Sequence, residues 1–223
     1  MIEIIATTIE DAIAAEKGGA DRIELISHFE VGGLTPSLEL IRAVTEAVKI
    51  PVRVMLRESE NFQVSNANDR QLLYGLAATF ATFPIDGIVC GFIANDAIDE
   101  ELLEQVLAAA PQKKFTFHRA FEELSDPQKA IKILKQFPAV DCILTSGGKG
   151  HQEQKIENFR LCLENASPEI MILAGGGMTD EMMEILQKQA GIQDFHFGTF
   201  VREPREFIGR VEESLVREIV KLV

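Results

Sequence analysis

The sequence predicts a single α/β domain, a closed (β/α)8 (TIM) barrel spanning residues 1–223. Three observations carry that expectation. Eight short apolar runs recur along the chain, each followed by a stretch of helical period, and strict alternation of the two means a parallel sheet. No linker or shift in composition divides the 223 residues, and eight units in that length make a compact closed barrel. No Gly-x-Gly-x-x-Gly follows the first run, where Ala6-Thr7-Thr8 stands instead, so the open doubly wound sheet is the weaker fit.

The strand runs are IEIIA (2–6), DRIELI (21–26), PVRVML (51–56), GIVCGF (87–92), KFTFH (114–118), CILTS (142–146), IMILA (170–174) and DFHFG (194–198). They are rich in Ile, Val and Phe, and most close on Gly, Ser or a charge. Between them, Leu38, Ile41, Val44 and Val48 keep helical period after Thr35-Pro36, which fit an N-cap and first helical position. Ser125-Asp126-Pro127 opens Ala130-Ile131-Ile133-Leu134 in the same way. Leu102, Leu103, Val106 and Leu107 line another helix, Met182, Met183 and Leu186 a further one, and Ile208, Val211, Leu215 and Ile219 a last.

Composition narrows the function classes. Hydrophobic residues make up 46%, enough for one sizeable core, and the formal net charge of −13 repels phosphate backbones and anionic lipid. Nucleic-acid and membrane-surface roles are therefore not expected. No apolar run approaches a membrane span, and MIEIIATTIEDA lacks the basic region and cleavage pattern of a signal peptide. Cys90, Cys142 and Cys162, odd in number and widely spaced, offer no disulfide framework, which points to the reducing cytoplasm.

Alternate residues of a barrel strand face the axis and the surrounding helices. Period two gives an apolar set for the helices: Ile2, Ile4, Ile23, Leu25, Val52, Val54, Leu56, Phe115 and Phe117. The axial set is Glu3, Ile5, Arg22, Glu24, Arg53, Met55, Arg57, Thr116, His118 and His196. Glu3, Arg22 and Arg53 lie near strand starts and are expected to form a structural ion-pair lattice, since a charged interior is costly unless paired. Arg57, His118 and Ser146 fall at strand ends, with Glu24 one layer below and His196 near the last strand's end. Chemistry in this fold sits at that C-terminal mouth. His118 is the candidate acid or base, with Glu24 orienting it, and Arg57, Ser146 and His196 are candidate binding residues. Arg119 is expected to turn outward or into the loop.

Gly175, Gly176 and Gly177 end the seventh strand just before a helix that starts at Thr179. Exposed amides there suit a phosphate or carboxylate, and a tight turn capped by Thr179 explains the same residues. No metal motif stands out. Met178, Met182 and Met183 at helical spacing, and the three cysteines, read as core.

ADRIEL (20–25), GGLTPS (32–37), FHRAF (117–121), ILTSG (143–147), GGG (175–177) and DFH (194–196) occur in this order, as does AIAAEKGGADR before the second strand. Together they resemble the CutC family over nearly the whole chain. The resemblance implies a (β/α)8 barrel, a cytosolic role in copper homeostasis with Cu(I) as ligand, and a small homo-oligomer, with a dimer favoured. The family's proposed Cu(I) ligands are cysteines of the first strand and the end of the second, and alignment places Ile5 and Ile26 there. RESENF (57–62) is one residue shorter than the family's loop and lacks its Gly-Gly turn. Glu24, Arg57, His118, Ser146, Gly175–Gly177 and His196 match. Three readings follow: copper handling, an enzyme acting on a small anionic metabolite by acid/base chemistry, and a non-catalytic barrel acting through a surface.

Overall fold

The computed structural model describes residues 1–223. Eight parallel strands close into a barrel: β1 (Ile2–Ala6), β2 (Arg22–Leu25), β3 (Val52–Met55), β4 (Gly87–Cys90), β5 (Lys114–Phe117), β6 (Val140–Thr145), β7 (Met171–Ala174) and β8 (Asp194–Phe197). Each strand pairs with its sequence neighbours, and β8 returns to β1 through Glu3 opposite His196. The helices α1 (Ile9–Gly18), α2 (Leu38–Ala47), α3 (Ala67–Phe80), α4 (Glu100–Ala109), α5 (Pro127–Leu134), α6 (Gln152–Ala166), α7 (Asp180–Ala190) and α8 (Glu213–Val220) follow the strands in turn. None of them is long and apolar enough to cross a membrane.

The period-two split holds. Ile2, Ile4, Ile23, Leu25, Val54, Phe115 and Phe117 are buried in one core between sheet and helices. Inside the barrel, polar and apolar layers alternate along the axis. Toward the strand starts, Arg22 bonds Glu3, while Arg53 reaches Asp86, Thr116 and, in a two-pronged contact, Asp141 at 2.7 Å to each oxygen. The β5–β6 register slips between Phe115, opposite Val140, and Thr116, opposite Cys142. Asp141 is the residue skipped, and its carboxylate serves Arg53. The strand accordingly begins two residues before the expected 142. Further up, Ile5, Ile26, Met55 and Val89 form a small apolar cluster.

Two expectations need correction. Helix α2 starts at Leu38 with Ser37 as its N-cap, not at Thr35-Pro36. The Thr35 hydroxyl is taken by the Arg57 backbone, donating to its carbonyl at 3.1 Å and accepting its N–H at 3.0 Å. The last helix spans only Glu213–Val220, and Ile208 stands 85% exposed. Arg210–Val211 instead pairs antiparallel with Arg202–Glu203, a hairpin that periodicity could not separate from a helix. Thr179 and Asp126 cap α7 and α5 where expected, with Pro127 at the helix start. Cys90, Cys142 and Cys162 are free and buried.

Candidate functional site

The strand ends open into a cavity of about 460 Å³. Its wall includes Glu24, Arg57, His118, Gly176, Gly177 and His196, so six of the expected site residues converge there. Phe29, Phe62, Met178 and Phe207 close it from the loops.

His118 follows β5 directly, its backbone N–H held by the Cys90 carbonyl at 2.8 Å. Its Nδ1 accepts the Ala120 N–H at 3.3 Å and so caps the short 3-10 turn Arg119–Glu123. An amide only donates, so Nδ1 carries the lone pair and the ring proton sits on Nε2. That Nε2 is buried and has no partner. Gly91 gives the ring its room: a Cβ there would lie 2.5 Å from Nδ1. Burial, and then the nearby Arg57 charge, push the imidazole from 6.5 down to about 3, so it is neutral at physiological pH. Arg119, half exposed, has its Nε on Glu122 at 3.2 Å and also borders the cavity.

Arg57 stands two residues past the end of β3. Nη1 donates to the carbonyls of Val31 and Gly33, both at 3.0 Å, and Nη2 to that of Glu60 at 2.6 Å. The guanidinium lies over the Phe62 ring at 4.8 Å, and Phe62 in turn packs against His118 with centroids 5.1 Å apart. Nε is buried without a partner. The arginine thus staples two loops together and keeps one donor unused.

Below them, His196 lies between two carboxylates. Its Nδ1 is 2.7 Å from Glu3 Oε1, and its Nε2 is 3.7 Å from Glu24 Oε2. Burial pushes Glu3 up, but Arg22 and His196 overcome it and hold the carboxyl near about 2. Glu24 lacks such a partner, so burial lifts it to about 7 against the pull of His196. Burial disfavours the His196 cation, yet Glu24 and Glu3 outweigh it and raise its pKa. Glu24 Oε1 is buried with no partner. The expected orientation of His118 by Glu24 is therefore replaced by an Ala120 N–H on His118 and by His196 beside Glu24.

Ser146 and Gly175 do not line this cavity. The Ser146 hydroxyl and N–H, with the Thr145 hydroxyl, all donate to Glu122, and Ser146 borders an adjoining cleft. Gly175 sits where a Cβ would lie 2.7 Å from Leu144 and 3.0 Å from His196, which makes it a close-packing position beneath the site. Sequence reasoning missed Glu122 and Phe62, both of which act through loop conformation. It placed Glu3 in the structural lattice, where its bond to His196 was not foreseen. Adjacent β1 and β8 do pair these two residues directly, so barrel closure itself held that signal.

The sequence profile of the CutC family matches residues 1–201. The chain belongs to the CutC family. It is 32% identical over 197 residues to the copper homeostasis protein cutC homolog of Homo sapiens, covering 88% of this chain and 72% of that protein. A CutC family protein of Treponema denticola is 34% identical over 203 residues, covering 90% and 82%. The crystal structure of a CutC from Streptococcus agalactiae superposes with a TM-score of 0.81 at 28% identity, covering 89% of this chain and 97% of that one. The positions at which family resemblance expects cysteines are apolar here. Ile5 and Ile26 pack with Met55 and Val89, and Ile5 forms part of the cavity floor.

Proposed function

We propose that the barrel mouth binds a small anionic oxygen compound, a carboxylate or phosphate ester, and stabilises negative charge growing on one of its oxygens during reaction. One observation carries this reading: His118 Nε2 and Arg57 Nε are buried, unpartnered donors on residues lining one cavity. An unpaired buried donor costs on the order of 1–3 kcal/mol, a cost that an acceptor in the cavity removes. A neutral imidazole N–H and a fixed guanidinium are suited to a developing oxyanion, since neither must reorganise as charge appears. His118 acts here as a hydrogen-bond donor rather than as the proton-transferring group, because its burial keeps it neutral. Gly176 and Gly177, both with positive φ, bring backbone to the cavity wall without side chains to fill it.

The human relative is named for copper homeostasis. Cu(I) prefers soft thiolate or thioether donors. The cavity offers two thioethers, Met55 and Met178, and no thiol. Burial pushes the Cys90 thiol to about 12 and those of Cys142 and Cys162 to about 11, so all three stay protonated. A thiolate Cu(I) site does not fit these residues.

The test is calorimetry with a panel of small carboxylates and phosphate esters on the wild type, His118→Asn and His118→Gln. Asn keeps an acceptor for the Ala120 N–H but lacks the distal donor, whereas Gln can restore that donor. The tightest ligand is expected to bind His118→Asn at least tenfold more weakly and His118→Gln nearer to wild type. Equal affinity in wild type and His118→Asn contradicts the reading.

A further inference from the structure

We propose that Glu24 and His196 together hold a first-row divalent cation, such as Zn²⁺, Mn²⁺ or Fe²⁺, at the floor of the mouth. This goes beyond the anion reading, which needs neither residue. The cluster is Glu3, Glu24 and His196, whose potential ligand atoms all lie within 4.8 Å of one another and are all buried. Its members play unequal parts. Glu3 is already engaged, with Oε2 bonded to Arg22 and Oε1 2.7 Å from His196 Nδ1. Glu3 is an ionised acceptor there, so Nδ1–H donates to it and Nε2 is turned toward Glu24. A carboxylate gripping the far nitrogen of a histidine is the usual way a metal-binding imidazole is oriented and made more basic.

The gap between His196 Nε2 and Glu24 Oε2 is 3.7 Å, too long for a direct hydrogen bond. A cation ~2.1 Å from each atom would subtend an angle of roughly 120° there, within the range of a distorted tetrahedral site. The second Glu24 oxygen is buried and unpartnered on the same group, and Glu24 is only 2% exposed. A second bond to the same cation satisfies it. Both residues border the cavity, so the remaining coordination positions face the volume a ligand would occupy. Two protein ligands with open positions describe a site that would take its other donors from water or a bound oxygen. The donor set selects the metal class. Imidazole with carboxylate suits Zn²⁺, Mn²⁺ and Fe²⁺, whereas Mg²⁺ and Ca²⁺ prefer all-oxygen shells and Cu(I) prefers sulfur.

Metal-free protein is dialysed against Zn²⁺ and analysed for bound metal, and Mn²⁺ is titrated in parallel by electron paramagnetic resonance. The expected result is one equivalent per chain, weakened at least tenfold in Glu24→Gln and in His196→Gln. A His28→Ala/His151→Ala variant, which removes the two histidines that do not line the cavity, should bind as wild type does. Glu24→Gln is nearly isosteric, and circular dichroism with thermal melting shows whether it is folded before the comparison is made. No metal retained by the wild type, or equal retention in folded Glu24→Gln, overturns the proposal. Loss of binding in that double variant also overturns it, since the metal would then rest on a histidine outside the Glu24–His196 pair. No carboxylate or phosphate ester is added at any stage, so the outcome is independent of the anion reading.

Discussion

His118 gives the account a consequence that needs no ligand. Buried neutral in the folded protein, it resists protonation until about pH 3, whereas in the unfolded chain it titrates near 6.5. Above 6.5 both states are neutral and the folded protein keeps its full stability. As pH falls below 6.5 the unfolded chain takes up a proton that the folded one refuses, and stability drops by about 1.4 kcal/mol per pH unit. The difference of about 3.5 units, 6.5 minus 3, sets an upper limit near 5 kcal/mol by the time pH 3 is reached. Carboxylates titrate in the same range, so the contribution is isolated by difference. His118→Asn keeps the Ala120 contact and cannot titrate. Urea unfolding of both proteins from pH 7 to pH 4.5 should show the wild type's advantage over the variant shrinking by roughly 3 kcal/mol, across the two pH units below 6.5. A constant difference across that range would mean that His118 titrates normally when folded, and the neutral-donor assignment would fail.

Other perturbations bear on the supports of the site. Arg57→Lys removes a planar donor that serves the carbonyls of Val31, Gly33 and Glu60, and should cost about 2–4 kcal/mol in chemical denaturation. Glu3→Gln leaves Arg22 charged without a counter-ion in the barrel interior and leaves one acceptor oxygen for two donors, Arg22 and His196. A loss of about 3–5 kcal/mol in denaturant unfolding is expected. Gly91→Ala drives a methyl into the His118 ring and should cost about 1–3 kcal/mol in thermal or chemical unfolding, with weakened anion binding by calorimetry.

The barrel was legible because strand and helix periods alternate without interruption, and because each strand's two faces differ in polarity. Glu24, Arg57, His118 and His196 were legible for the same reason: a polar residue of axial parity near a strand end has little choice but the mouth. Their pairings were not. Parity puts Glu24 and His118 on the same axis but says nothing about which side chain meets which across the barrel. That is fixed by strand neighbours, and Glu24 lies beside β1 and β3 rather than β5. Ser146 illustrates a second limit. Its position after β6 suggested an open hydroxyl, yet Glu122, brought in by the 3-10 turn that His118 caps, takes both its hydroxyl and its N–H. The end of the chain illustrates a third. Ile208 and Val211 fit a helical period by spacing alone, while Gly209 sits in a turn so tight that a Cβ would collide with the Pro204 carbonyl.

The most direct test of the proposed site observes the His118 ring proton itself. In protein carrying ¹⁵N-labelled histidine, two-bond correlation spectra at pH 7 should show His118 as the neutral tautomer protonated at Nε2. Adding the tightest-binding anion of the calorimetric panel should move the Nε2–H resonance downfield in saturable fashion, with the same affinity as in calorimetry. A ring protonated at Nδ1, or an Nε2–H signal that does not move while the anion binds, would contradict the account.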